Sequence, residues 1–343
     1  MVADHRVLGY FGLTAKKTTV FVQNTTNISP KKLCTRSLGL TGKQKRMCQR
    51  EPDISKVLLS AAKASARSCA KQFEDNRWNC PLGKYRLKML EHGLRETAFL
   101  YAISSAGLVH SFARACSLGL LSRCTCDKRS VKHWKYGGCG DNIRFGMRFT
   151  KRLLRKARKP AKDFRAKVNM HNTVVGMKMV NRMMKKNCRC HGPSGSCTMK
   201  TCWRQVADLH LVAKELKGKY DKARKVMSNA NTNKVRRKAQ MYIVPDNEMD
   251  NSAASNQYDP NKPTEDDLVF LDQSPNFCSH SEYSEGTMGR NCNKTSNCAV
   301  LCCDRGYNTQ LVSYETKCYC KMKWCCKVTC QRCRLTKEIH LCK

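Results

Sequence analysis

The residues best suited to chemistry lie in the segment CRCHGPSGSC at positions 188–197, where three cysteines bracket Ser194. A serine hydroxyl near His191 is a candidate nucleophile, because a neighbouring base can activate it. The segment departs from the GxSxG motif of α/β-hydrolases, since Ser196 replaces the last glycine. No acidic residue lies close in sequence to orient the histidine, so we predict no catalytic residue. A hydroxyl at the tip of a tight loop suits another role, as the acceptor of a group that a different enzyme attaches.

The cysteines around Ser194 follow a spacing that recurs near the C-terminus. Each set places two alternating cysteines on one arm and two on the other: Cys188, Cys190, Cys197 and Cys202, then Cys318, Cys320, Cys330 and Cys333. Alternate residues of a strand share a face, so nested pairs would join each hairpin twice. Spacing alone does not determine the connectivity.

The two hairpins would present different tips. Residues 192–195 fit a type I turn with proline second and glycine fourth, which points Ser194 outward. The second tip is KMKWCCKV, centred on Trp324. Trp324 fits either a core position under the hairpin or an exposed contact, and the small core available favours the exposed contact. A bond between the adjacent Cys325 and Cys326 would be strained, which indicates function more than stability.

The cysteine content points to a cellular compartment. The 24 cysteines among 343 residues indicate a disulfide framework formed under oxidising conditions. The alternative is a zinc protein acting on nucleic acid, but zinc sites pair CxxC with a second CxxC or an HxxxH motif, and the cysteines here occur as CxC, CC and single residues. We therefore expect neither a metal nor a cofactor.

Two features of the sequence bear on secretion, and they point in opposite directions: glycosylation sequons favour it, and the N-terminal residues do not. N-glycosylation sequons begin at Asn24 and Asn27, with a third at Asn293. Residues 7–13 are too short and too polar for the apolar core of a signal peptide, so no signal peptide is evident.

The formal net charge of +39 predicts a polyanionic partner. Ten lysines and arginines occur among the twenty residues 148–167. In a helix, Phe145, Phe149 and Leu153 would face the core, and the basic residues would form an exposed stripe. The candidate polyanion-binding residues are Arg148, Lys151, Arg152, Arg155, Lys156 and Lys159. The stripe fits either a solvated face or a polyanion site. For a secreted protein the polyanion would be heparan sulfate; no nucleic acid is expected, since no aromatic residues are interleaved to stack on bases.

Apolar periodicity predicts five helices over residues 51–226 and hence a helical bundle. Composition changes after Val244, where residues 246–272 hold eight acidic side chains and one lysine. Residues 278–342 contain 12 cysteines and are too few to bury a large core, so disulfides and short strands would replace it. The predicted fold class is α+β, without a transmembrane segment. Its parts are a poorly ordered segment 1–33, a helical domain 34–245, an acidic linker 246–277 and a cysteine-rich β-hairpin domain 278–343.

The sequence resembles the Wnt family of secreted, lipid-modified signalling glycoproteins. CRCHGPSGSC is similar to the family signature, and further blocks follow in family order from about residue 34. These blocks are RWNC (77–80), AFLYAISSAGLVHSFARACS (98–117), GGCGDNIRFG (137–146), HN (171–172), KTCW (200–203), DLVFLDQSPNFC (267–278), GRNCN (289–293), LCCDRGYNT (301–309) and WCC (324–326). The count of 24 cysteines is also usual for the family.

The resemblance implies a ligand that holds the cysteine-rich domain of a Frizzled receptor between a thumb and an index finger. The thumb serine corresponds to Ser194, which the acyltransferase Porcupine would modify with palmitoleate. Wntless would carry the lipidated protein to the cell surface, and an LDL-receptor-related co-receptor would complete the signalling complex. The finger contacts correspond to Met322, Trp324, Cys325, Cys326 and Val328.

The resemblance also implies eleven disulfides, and the two remaining cysteines, Cys34 and Cys48, are paired by elimination to give twelve. In the first domain the implied bonds are Cys69–Cys80, Cys116–Cys124, Cys126–Cys139, Cys188–Cys202 and Cys190–Cys197. In the second they are Cys278–Cys303, Cys292–Cys298, Cys302–Cys342, Cys318–Cys333, Cys320–Cys330 and Cys325–Cys326. Two residues depart from the family pattern. Pro193 stands where a small aliphatic residue or threonine is usual, and Met322 stands where an aromatic residue is usual. A heparan-sulfate-binding factor that is not acylated, because of Pro193, is the alternative function.

Overall fold

A computed structural model describes residues 29–38, 40–127, 138–156, 164–228, 241–244 and 263–343. The chain divides into two compact units. The first holds residues up to Gln72 together with Cys80–Ser274, and the second holds Phe73–Asn79 with Pro275–Lys343. These limits differ from the predicted domains. Phe73–Asn79 joins the cysteine-rich unit. Residues 263–274 of the predicted linker belong to the helical unit, and residues 275–277 belong to the cysteine-rich unit.

The first unit is mainly helical, as its apolar periodicity predicts. Its helices are α1 (Pro30–Lys32), α2 (Gly42–Cys48), α3 (Pro52–Gln72), α4 (Lys84–Met89), α5 (Arg95–Ser117), α6 (Ile143–Lys156), α7 (Phe164–Arg182) and α8 (Leu209–Asp221). A π-helical turn, Leu33–Ser37, follows α1. The apolar spacing of Leu87, Leu90, Leu94, Ala98 and Tyr101 predicts one continuous helix, but this stretch forms two helices, α4 and α5. No helix among the described residues is both long and apolar enough to cross a membrane.

Helix α5 forms the centre of the first unit. Its side chains at Phe99, Leu100 and Leu108 are fully buried, because α3, α6, α7 and α8 pack around it. Ser105 is also buried, and its hydroxyl donates to the carbonyl oxygen of Thr173 in α7 at 2.8 Å. Burial of this small polar residue is tolerated because its hydrogen bond replaces the one lost to water.

Two small sheets complete the first unit. Strands β1 (Lys185–Cys190) and β2 (Lys200–Gln205) form an antiparallel hairpin. Strand β3 (Arg224–Ser228) lies between β4 (Met241–Ile243) and β5 (Val269–Phe270), antiparallel to β4 and parallel to β5.

Strand β5 lies inside the segment predicted as an acidic linker. Leu268 and Val269 are fully buried. The Asn172 side chain accepts from the amide of Val269 at 3.0 Å and donates to its carbonyl oxygen at 2.9 Å. Residues 263–274 are therefore an ordered part of the helical unit, because a short apolar stretch follows the acidic residues that suggested a linker.

The second unit has little apolar core. It contains β6 (Asn291–Cys292), α9 (Cys298–Leu301), β7 (Tyr307–Lys323) and β8 (Lys327–Cys342), with strand order β6-β8-β7. Its buried cluster consists of Leu301 and four half-cystines, Cys292, Cys298, Cys302 and Cys342, with Tyr307 packed against it. The Arg290 guanidinium donates to the carbonyl oxygens of Glu74, Asn76 and Arg77, each at 2.8 Å. Disulfides and such backbone contacts hold this unit, as expected for so small a core.

The structure contains ten of the twelve expected disulfides. They are Cys34–Cys48, Cys69–Cys80, Cys116–Cys124, Cys188–Cys202, Cys190–Cys197, Cys278–Cys303, Cys292–Cys298, Cys302–Cys342, Cys318–Cys333 and Cys320–Cys330. The expected Cys126–Cys139 and Cys325–Cys326 pairs are not bonded.

The two pairs lie in different surroundings. Asp127 pairs with Gly140 in an antiparallel bridge, so Cys126 and Cys139 are not directly opposite each other. Cys325 and Cys326 are adjacent in the loop of the β7–β8 hairpin. A bond between them would close a small ring, because a trans peptide holds their Cα atoms about 3.8 Å apart, closer than is usual for a disulfide.

Candidate functional site

The base of the first hairpin is fixed by Asp141, a buried residue just before α6. Its carboxylate accepts hydrogen bonds from the Ser117 hydroxyl and, at 2.9 Å, from the amide of Val206. Its own amide donates to the carbonyl oxygen of Arg204 at 2.8 Å. One aspartate thus connects the end of α5 and the end of β2. The β1–β2 hairpin therefore extends from a rigid helical base.

Two disulfides close the arms of this hairpin. Cys188 lies directly opposite Cys202 in the ladder, and their Cα atoms are 4.1 Å apart. Cys190 and Cys197, nearer the tip, have a Cα separation of 4.6 Å. The nested arrangement that the spacing suggested is therefore present. Only the six residues 191–196 lie between Cys190 and Cys197. The short loop that this bond closes restricts the conformations of the tip.

The tip turns differently from the prediction. Ser194 has φ 53° and ψ 26°, and Gly195 has φ 77°. A type I turn centred on Pro193 and Ser194 would need a negative φ at Ser194, so that prediction is wrong. The amide of Ser196 donates to the carbonyl oxygen of Pro193 at 3.0 Å, and positive φ at both central residues is typical of a type I′ turn. Ser194 is the first central residue, and it is exposed.

Two neighbours of Ser194 support the turn rather than its chemistry. A Cβ atom on Gly192 would lie 2.1 Å from Ser196 Oγ and 2.4 Å from Thr198 Oγ1, so only glycine fits there. His191 Nε2 lies 3.0 Å from Thr201 Oγ1 across the hairpin, within hydrogen-bonding distance. The histidine therefore joins the two arms. The exposed hydroxyl at the tip is suited to receive a group.

The second hairpin presents an apolar tip. Met322 and Val328 are directly opposite each other in the β7–β8 ladder, and a three-residue loop beginning with Trp324 connects them beyond Lys323 and Lys327. Trp324 is 98% exposed, Met322 77% and Val328 61%. The prediction of an exposed tryptophan at this tip therefore agrees with the structure. Apolar groups this exposed on a rigid support are typical of a contact surface.

The backbone near this tip has two features that the sequence pattern did not reveal. The ladder shifts register between Cys318 and Lys321, so β7 carries one more residue than β8 there, and Tyr319 has φ 47°. This is a β-bulge. Cys325 and Cys326 both have positive φ, 65° and 74°, which lets three residues close the hairpin. Both thiols are exposed.

The basic helix α6 has the two faces that its spacing predicts. Leu153 is fully buried, and the Phe149 ring stacks on Phe112 with centroids 3.9 Å apart. Arg148, Lys151 and Arg152 are exposed. Of the remaining candidates, Lys159 lies outside the residues that the structure describes. Arg155 and Lys156 are described only as part of the helix backbone.

Sequence reasoning missed two arginines of this surface. Arg50 follows α2 and Arg123 follows α5, and the fold brings both to the groove lined by Arg148 and Arg152. No local spacing relates these residues, because they come from distant parts of the chain. Among the sequons, Asn24 and Asn27 lie outside the described residues. Asn293 is exposed, and its side-chain oxygen accepts from the Thr295 hydroxyl at 2.8 Å.

Comparison with known proteins gives a consistent result. A sequence model of the wnt family matches residues 36–343. A Wnt-9a protein of Gallus gallus is 43% identical, covering 97% of this chain and 94% of its own length. A Wnt-9b protein of Mus musculus is 40% identical, covering 97% and 93%. Among solved structures, human WLS in complex with WNT8A matches with a TM-score of 0.60 and 32% identity, over 86% of this chain and 96% of that chain.

Proposed function

The chain belongs to the Wnt family of signalling ligands, and we propose that it is secreted and binds the cysteine-rich domain of Frizzled receptors through its two hairpin tips. Ser194 carries a palmitoleoyl group in this proposal, and the tip at Trp324 supplies a second contact. The observation that carries the proposal is the exposed Ser194 hydroxyl on a turn closed by the Cys190–Cys197 disulfide. The protein acts as a ligand, and the proposal assigns it no catalytic role.

The acyl group would provide much of the binding free energy. Burial of an acyl chain contributes about 0.8 kcal/mol per methylene group. A sixteen-carbon chain therefore supplies on the order of 10 kcal/mol before entropic costs, comparable to an entire protein–protein interface. The disulfides limit the conformational entropy that the tip loses on binding, which preserves more of this contribution.

The apolar tip of the second hairpin would contact the receptor without modification. Trp324, Met322 and Val328 form its apolar surface, and Lys323 and Lys327 flank it. Tryptophan is enriched among residues that dominate binding free energies, because it buries a large rigid surface. Met322 is flexible, so it adapts to an irregular receptor surface.

Family membership supports the other proposed partners. Porcupine would attach the acyl group to Ser194, and a Wntless carrier would transport the product; the structural match contains WLS bound to WNT8A. An LDL-receptor-related co-receptor would complete the signalling complex. Heparan sulfate would bind the exposed basic stripe at Arg148, Lys151 and Arg152, since this stripe combines high charge with an accessible position.

The intact mass of the secreted protein tests the central proposal. The chain is expressed behind a supplied signal peptide in cells that contain the acyltransferase. We expect an added unsaturated sixteen-carbon acyl group that Ser194→Ala removes. The matched control is Ser196→Ala, two residues away and also exposed, which should keep the acyl group. An active wild-type protein without this mass would contradict the proposal and favour the alternative in which Pro193 prevents acylation.

A further inference from the structure

A groove of about 340 Å³ lies between α6 and the segments that follow α2 and α5. Its apolar floor consists of Met47, Ile54, Leu121, Phe145 and Phe149. Its walls carry four arginines and one acid: Arg50, Arg123, Arg148, Arg152 and Glu51. All of these residues belong to the first unit.

The walls of the groove are covalently braced. The Cys34–Cys48 disulfide precedes Arg50 by two residues, and the Cys116–Cys124 disulfide ends next to Arg123. Gln44 is buried, and its side-chain amide donates to the carbonyl oxygen of Leu153 at 3.2 Å, which joins α2 to α6. The groove is thus a preformed feature rather than a gap between mobile side chains, and a preformed site reduces the entropic cost of binding.

The charge of the groove favours an anion. Glu51, the one acidic residue of the lining, forms an ion pair with Arg123. The other three arginines of the lining have no carboxylate partner within it. A second cavity of about 290 Å³ adjoins it, sharing Met47 and Arg50 and adding Lys43 and Arg46. Arginine binds phosphate oxygens in a bidentate geometry, which lysine cannot reproduce.

The apolar floor restricts which anion fits. A sulfated glycan has charge along its whole length and no hydrocarbon to cover Phe145 and Phe149. A phospholipid has both parts, since its phosphate can meet the arginines while the start of an acyl chain covers the apolar floor. A peripheral protein with basic residues near a membrane gains binding free energy from acidic lipids in addition to apolar burial.

We infer that this groove binds an acidic phospholipid, with the phosphate held by Arg50, Arg148 and Arg152 and the acyl chain lying on Phe145 and Phe149. The inference deepens the proposed anion-binding role of α6 and rests on it for the charge of Arg148 and Arg152. It does not depend on acylation of Ser194. The groove would hold the protein at the membrane surface through the helical unit, without a contribution from either hairpin tip.

The test measures vesicle binding by the full chain carrying Ser194→Ala, so that no acyl chain contributes. Vesicles of phosphatidylcholine, with or without phosphatidylserine, are sedimented with the protein. We expect binding only with phosphatidylserine, and a roughly thirtyfold loss of affinity in Arg148→Gln/Arg152→Gln. The matched control, Lys214→Gln/Lys222→Gln, removes the same charge from exposed positions of the same unit outside the groove and should lose much less. Equal losses in the two double variants would mean unspecific attraction and would overturn the inference.

A second measurement separates the lipid from its headgroup and from heparan sulfate. A soluble phosphatidylserine with short acyl chains should bind at least tenfold more tightly than glycerophosphoserine, because only the former covers the apolar floor. Equal affinities would overturn the inference. So would retained vesicle binding by Arg148→Gln/Arg152→Gln together with a loss of heparin affinity, which assigns the groove to the glycan. Thermal unfolding of each variant checks the fold. Acylation of the parent chain, measured separately by mass, shows whether the receptor proposal fails on its own.

Discussion

The two hairpins share a covalent design but present opposite surfaces. Each is an antiparallel pair closed by two nested disulfides. The first has arms of six residues and a small polar tip with Ser194 at its end. The second has arms of 17 and 16 residues and an apolar tip in which Trp324 is 98% exposed.

The difference indicates how each tip obtains an apolar surface. The second tip encodes that surface in Trp324, Met322 and Val328. The first tip has none of its own, and in the proposed function its apolar surface is the acyl group added to Ser194 after synthesis. A type I′ turn serves this purpose, since it keeps the hydroxyl exposed at the end of a narrow hairpin. Under this proposal one hairpin is complete when folded, whereas the other depends on a further enzyme.

Substitution of Trp324 should have the largest effect, and it should affect the second tip alone. We expect Trp324→Ala to weaken Frizzled binding by about 2 kcal/mol, roughly thirtyfold, because the proposed contact buries a tryptophan that is exposed in the free protein. Secretion and the acyl mass on Ser194 should not change. Binding of purified protein to the receptor's cysteine-rich domain measures the effect.

The control for this prediction is Met288→Ala, which truncates another exposed apolar side chain of the second unit, 76% exposed and distant in sequence from the tip. Its affinity should match the parent chain. Loss of acylation in Trp324→Ala would contradict the independence of the two tips.

A smaller effect should follow from changing the backbone of the first tip. Gly195 has φ 77° with open space where a Cβ would lie. Gly195→Ala would therefore cost about 1 kcal/mol through its left-handed backbone alone and lower the rate of acylation roughly fivefold. Gly289→Ala, with φ 71° and similar open space in the second unit, imposes the same penalty elsewhere. Acylation that falls equally in both variants would show that general stability, rather than the turn, is responsible.

The smallest expected effect concerns pH and the base of the first hairpin. Burial, and then the charge of Arg114, lower the pKa of His110 in α5, with Asp141 and Asp208 opposing them. In the unfolded chain His110 has its ordinary pKa of about 6.5. As the pH falls below that value, the unfolded state binds more protons than the folded state, so the free energy of unfolding decreases. Folding stability should therefore begin to drop as the pH falls through about 7 and continue to drop until His110 is protonated in the folded state as well.

Thermal unfolding at several pH values measures this loss. His110→Gln should flatten the dependence, because glutamine does not titrate in this range. Leu118→Gln changes an exposed residue just after α5 without removing a titratable group, and it should leave the profile as it is. A profile unaffected by His110→Gln would contradict the assignment.

Sequence periodicity predicted most of the helical unit because its signal is local. Ile54, Val57, Leu58 and Ala61 repeat at helical spacing, and all four are buried in α3. The two hairpins were also predictable, since alternating cysteines indicate strand arms. Leu268 and Val269 were missed because eight acidic residues dominate the composition around so short a strand.

The remaining features depend on backbone geometry that residue types do not specify. Pro193 suits a type I turn, but Ser194 adopts positive φ because the closing Cys190–Cys197 disulfide and the ladder fix where the chain must reverse. The β-bulge at Tyr319 leaves no mark in the cysteine spacing. Similarly, the groove unites Arg50 and Arg123 with α6 through tertiary packing, which no window of sequence reveals.

The disulfides of each hairpin begin and end within one continuous stretch of chain. For the second hairpin this stretch is residues 318–333, and for the first it is residues 188–202. In the terms of peptide chemistry, each stretch is a bicyclic peptide, because both of its ring-closing disulfides join cysteines of that stretch alone. Either tip is therefore accessible to solid-phase synthesis. Under the proposed function, the bicyclic peptide with Trp324 is a starting scaffold for a competitive antagonist that carries no lipid.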